Sequence, residues 1–88
     1  EFDFRVSLFP NPVSTTLHVE ALIPEDGAAS VVILDQQLRT TMEIASPELT
    51  KRGKHSLAIP VEELIPGVYV LKVESASGVR MEKFTVQR

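Results

Sequence analysis

Apolar and polar residues alternate along the chain in short runs rich in Val, Ile, Leu and Thr. Turn-forming clusters interrupt these runs at roughly 8 to 12 residue intervals, the pattern of an all-β chain. Seven strands are predicted. The first, Phe4 to Phe9, is ended by Pro10-Asn11-Pro12, where two fixed φ angles and two missing amide donors stop a ladder. The second, Thr16 to Leu22, places Leu17, Val19 and Ala21 on one face and His18 and Glu20 on the other. Pro24-Glu25-Asp26-Gly27 then reads as a turn. In the third strand, Ser30 to Asp35, the unbroken run Val31-Val32-Ile33-Leu34 predicts a position central in its sheet or covered on both faces. A hairpin at Asp35-Gln36-Gln37-Leu38 returns the chain into a fourth strand, Arg39 to Ala45.

Ser46 to Gly53 is a polar, basic loop with room for one helical turn at Pro47-Glu48-Leu49-Thr50. The fifth strand, Lys54 to Ile59, turns Leu57 and Ile59 inward, and Pro60 to Leu64 is expected to lay a turn of helix over one end of the core. Ile65-Pro66-Gly67-Val68 carries Pro and Gly at the two central positions of a type II turn. In the sixth strand Tyr69, Leu71 and Val73 share one face, and Val70, Lys72 and Glu74 the other. After a hairpin at Ser75-Ala76-Ser77-Gly78, the seventh strand shows a conflict. Val79 and Met81 lie on one parity, Phe84 and Val86 on the other, so a β-bulge near Glu82-Lys83 is expected to restore the inward face. The predicted architecture is a seven-stranded immunoglobulin-like antiparallel β-sandwich. Leu64-x-Pro66-Gly67-x-Tyr69 suits a tyrosine corner, in which the ring is buried and the hydroxyl returns to the backbone.

Composition narrows this picture. With 88 residues the chain supports one domain, since a core of this size buries only about 60 to 65% of the unfolded surface. Hydrophobic residues make up 43% and charged residues 24%, ordinary usage for a chain that folds. A net charge of -3 with no basic stripe argues against a nucleic-acid partner. No apolar run reaches the roughly 18 residues of a spanning helix, and no N-terminal segment reads as a signal peptide. Without cysteine, stability must come from packing and not from disulfides. Glu1-Phe2 matches what a common cloning junction encodes, so residues 1–4 are read as linker or remnant.

Catalytic chemistry finds little support. His18 and His55 are assigned to the solvent parity of separate strands, neither with a metal-ligand spacing. Glu62 and Glu63 are adjacent in sequence, and neighbours on a strand or turn do not converge as an acid and a base must. No strained Gly-x-Ser-x-Gly elbow surrounds any serine. Asp26-Gly27 lacks the alternating oxygen ligands and distal Glu of a calcium loop. The chain is read as neither an enzyme nor a cofactor binder.

Several segments occur in a telling order. Leu8-Phe9-Pro10-Asn11-Pro12 is followed by Leu17 and Val19, then Val32 to Asp35, then Gly67-x-Tyr69-x-Leu71-x-Val73, and finally Lys83-Phe84-Thr85-Val86 with Arg88. This series resembles the C-terminal sorting domain, type A, of cargo exported by the Bacteroidetes type IX (Por) secretion system. It departs from that family in the Asp35-Gln36-Gln37-Leu38 hairpin, which lacks the usual glycine. The resemblance implies a secretion signal attached to a larger cargo, which waits in the periplasm until the outer-membrane translocon recognises the folded module. It also implies delivery to the cell surface or medium and, in many cargoes, removal by a sortase-like cysteine peptidase. The sorting-motif residues implied are Pro10, Asn11, Pro12, Gly67, Tyr69, Leu71, Val73, Lys83, Phe84, Val86 and Arg88.

The terminal strand Val79 to Arg88 suits edge docking, with Lys72, Lys83 and Arg88 offering charge, although Lys83 and Arg88 also suit protection of an edge from aggregation. Pro10-Asn11-Pro12 has a second reading as a strand terminator, with Asn11 bonding local backbone. The isolated domain is expected as a monomer or a strand-swapped dimer. Competing readings are an immunoglobulin-like spacer beside a surface enzyme and a carbohydrate-binding module; the absence of Trp counts against the second.

Overall fold

The computed structural model describes residues 3–88, so the expectation for Glu1-Phe2 lies outside the described residues. Seven strands form in order: β1 (Arg5–Phe9), β2 (Thr16–Ile23), β3 (Ser30–Leu34), β4 (Thr40–Ile44), β5 (Gly53–Pro60), β6 (Gly67–Ser75) and β7 (Gly78–Val86). A 3-10 turn, Pro47–Thr50, lies between β4 and β5, where the loop was expected to hold a helical turn. The strands make two antiparallel sheets, β1-β2-β5 and β4-β3-β6-β7, packed as a sandwich. Alternation explains the core. Leu17, Val19, Ala21 and Ile23 of β2 face Val31 and Ile33 of β3, Leu71 and Val73 of β6, and Phe84 and Val86 of β7, all buried. Leu49 from the 3-10 turn, and Val61 and Leu64 from the β5–β6 connection, are also buried in this core. Phe4, just before β1, is buried as well.

The unbroken apolar run of β3 has the expected cause, since β3 lies inside its sheet between β4 and β6. The β3–β4 hairpin dispenses with glycine. The Leu38 amide donates to the Asp35 carbonyl (2.9 Å), closing a turn, and Leu38 itself takes the left-handed φ of 64° where glycine is customary. Asp35 Oδ1 accepts from the amides of Gln37 (2.8 Å) and Arg39 (3.0 Å), which fixes this geometry from a side chain.

Four expectations are corrected. The register of β6 with β7 runs unbroken from Ser75↔Gly78 to Gly67↔Val86, so there is no bulge near Glu82-Lys83. Phe84 and Val86 keep the inward parity, which puts Arg80 and Glu82 on the same face and sends Met81 outward, half-exposed. A polar residue is tolerated on that face because the sandwich is open there. Arg80 spans the opening, its Nε donating to the Phe4 carbonyl (2.9 Å) and its guanidinium lying 5.6 Å from the Phe4 ring centre.

The Ile65–Val68 segment is not a type II turn, because Gly67 has φ of 158° instead of about 80°. It opens β6 as an extended residue opposite Val86. Residues 61–64 form a hydrogen-bonded turn, Leu64 amide to Val61 carbonyl at 3.0 Å, and not a turn of helix. His55 pairs across from Ala21 and so shares the inward parity of Leu57 and Ile59; it stays half-exposed at the sheet end, its Nε2 2.8 Å from the Lys51 carbonyl oxygen.

Candidate recognition surface

The segment after β1 folds back against the far end of the chain. Phe9-Pro10 and Asn11-Pro12 both adopt cis peptide bonds. Asn11 Oδ1 accepts the Thr85 amide at 3.0 Å, across 74 residues. Two residues on, the Val13 amide donates to the Thr85 carbonyl (2.8 Å) and the Gln87 amide to the Val13 carbonyl (2.9 Å), which makes a short parallel bridge. Val13 is fully buried beneath this bridge. The Pro-Asn-Pro segment thus covers the outer edge of the last residues of β7, satisfying backbone groups that a sheet edge would otherwise leave open. The strand-terminator reading had Asn11 bonding local backbone, whereas its partner is 74 residues away.

The residue after this bridge is tied down as well. The Arg88 guanidinium donates to the carbonyls of Leu64 (2.7 Å) and Val61 (2.6 Å), and the Val61 amide donates to the Thr15 carbonyl (2.8 Å). Tyr69 is 8% exposed, stacks on Phe84 with ring centres 5.9 Å apart, and donates its hydroxyl to the Ile65 carbonyl (2.5 Å). This is the tyrosine corner the sequence suggested, with its acceptor four residues back. Gly67 pairs with Val86, while Leu71 and Val73 are core residues.

The expected motif residues therefore divide by role. Tyr69, Leu71, Val73, Phe84 and Val86 are buried in the core. Asn11 and Arg88 are engaged with backbone, which removes Arg88 from the freely offered charges. Lys83, Pro10 and Pro12 remain exposed. Lys72 lies on the outer face of β6, 3.9 Å from Glu74. Val13 and Arg80 escaped the sequence reading. Val13 was hidden because the predicted strand ends at Phe9, and Arg80 because an assumed bulge displaced the period-two parity that would have turned it inward.

What remains open on β7 is its first half. Gly78 to Lys83 are exposed, and β7 ends its sheet. Since the Thr85 amide and carbonyl both point outward to Asn11 and Val13, strand alternation directs the backbone groups of Val79, Met81 and Lys83 the same way. Beside this edge runs a groove of about 560 Å³ between β1 and β7, lined among others by Phe4, Val6, Arg80 and Glu82.

Among the described residues, the distinctive side chains of this small β-sandwich converge on sealing and presenting one strand. The chain belongs to the secretion system C-terminal sorting domain family, whose model matches residues 7–87. It is thus a sorting signal of the type IX system, carried by a cargo precursor and directing export to the cell surface or beyond, and the family is not a catalytic one. No curated protein matches the chain.

Proposed function

We infer that the folded domain is the export address that the type IX outer-membrane translocon reads while the cargo waits in the periplasm. A sortase-like cysteine peptidase then removes it from those cargoes that are to be anchored. The observation that carries this reading is the family match along nearly the whole chain, joined to the way its motif residues are spent. Because the buried and bridging motif residues are consumed in building the terminal strand, what they offer a partner is the folded strand itself. A translocon that serves many cargoes gains by reading backbone and edge features that every folded copy shares. The open half of β7, Val79 to Lys83, provides them.

The test fuses the domain to a periplasm-directed fluorescent reporter in a host with a working type IX system. Deleting Lys83 to Arg88 would remove Phe84 from the core and so confuse folding with recognition; Lys83→Glu alters the exposed edge and leaves the core intact. The intact fusion is expected at the surface or in the medium, and Lys83→Glu, verified as folded, in the periplasm. Export of both moves recognition to another face. Periplasmic retention of the intact fusion overturns the sorting reading in favour of a spacer domain.

A further inference from the structure

The open half of β7 has a sequence that complements itself. The geometry points to an interface with a second copy of this chain, in which the two β7 edges pair antiparallel about a twofold axis at Met81. In that register Met81 faces Met81 of the other copy, Arg80 faces Glu82, and Val79 faces Lys83.

Each part of the arrangement follows from features already described. The outward backbone groups of Val79, Met81 and Lys83 become the hydrogen-bonded pairs of the new ladder. Arg80 and Glu82 then fall in the non-hydrogen-bonded pairs, where cross-strand side chains approach most closely and opposite charges stabilise. On the outer face the two half-exposed Met81 side chains meet, flanked by Val79, also half-exposed. Both ends of the free edge limit the register. Asn11 and Val13 occupy the edge at Thr85 and Gln87, and the β6–β7 hairpin at Ser75↔Gly78 closes the opposite end. Sliding the pair by two residues towards the end of β7 runs each copy into the Asn11–Val13 segment and sets Glu82 against Glu82, and sliding it the other way sets Arg80 against Arg80. A twofold pairing is isologous and closes on itself, joining two four-stranded sheets into one continuous sheet without leading to a fibre.

The dimer covers the same edge that the sorting reading gives to the translocon, so the two are alternative occupants of one strand; the test reads the mass of the purified chain and not export, so each reading fails separately. Sedimentation velocity on the wild-type domain is expected to show a concentration-dependent dimer. Glu82→Arg sets Arg80 against arginine and is expected to weaken association about tenfold or more. An equimolar mixture of Glu82→Arg with Arg80→Glu restores the opposite charges and is expected to regain the dimer. Arg80 also holds Phe4, so if Arg80→Glu does not fold, Met81→Pro takes its place. That change removes the central outward amide and is expected to give a folded monomer. A wild-type chain that stays monomeric up to about 1 mM overturns the proposal. So does a dimer indifferent to Glu82→Arg, which would come from strand exchange or another face.

Discussion

Leu38 carries a conformational cost that no contact offsets. Its φ of 64° places an L side chain in the left-handed region, at about 1 kcal/mol or slightly more, and the side chain is 63% exposed. Leu38→Gly is therefore expected to raise the unfolding free energy by about 0.5 to 1 kcal/mol, after allowing for glycine's greater freedom in the unfolded chain, as read by urea denaturation. The missing glycine was visible in the sequence, and the hairpin was placed correctly without it. Its turn type was not legible, because the Asp35 carboxylate fixes the loop by bonds to two backbone amides, and residue preferences alone do not register such bonds. Tyr69 was legible for the opposite reason. A local motif, Pro and Gly shortly before a tyrosine on an inward parity, specifies both its burial and its acceptor. The same Pro-Gly pair misled on the turn type, since Gly67 is recruited into β6.

The β3–β4 hairpin also gives the domain a dependence on acidity. The amide of Arg39, aided by the Gln37 amide and the Arg39 guanidinium, holds the Asp35 carboxyl below its ordinary value against a smaller opposing effect of desolvation. A lowered folded value means that the unfolded chain binds the proton more readily. The stabilisation is thus complete above the unfolded value of about 3.9 and fades as pH falls through the lower folded one. Stability profiles of wild type and Asp35→Asn are expected to converge in strong acid, to separate with wild type ahead as pH rises towards about 4, and to run parallel above it. Among the strands, β2 and β6 could be read from their period-two patterns and β3 from its unbroken apolar run, because each lies between two neighbours in its sheet. The pattern of β7 could not. Its first half lies at the edge of the sandwich beside a groove shared with β1, so Arg80 and Glu82 take inward positions and stay exposed, and Met81 takes an outward one. The rule that inward residues are apolar fails where the layers part into an open groove that admits water.

The molecule is closed by contacts between its beginning and its end, and these contacts explain why two separated sequence motifs belong together. Asn11→Ala leaves the Thr85 amide without its acceptor and is expected to cost about 1 kcal/mol, whereas Asn11→Asp retains an acceptor and most of the stability. Hydrogen exchange is expected to show the Thr85 amide losing protection in the first variant and keeping it in the second. From sequence, the order of these motifs was evident but their physical junction was not, since nothing in Pro-Asn-Pro names a partner 74 residues away. The junction has a consequence for synthesis. The groups that seal Val13 and fill the core beside Tyr69 come from Phe84, Thr85 and Gln87, which the ribosome adds long after Val13 itself. A cargo whose translation stops short of them cannot complete the sandwich, so it leaves the ribosome without a finished tag.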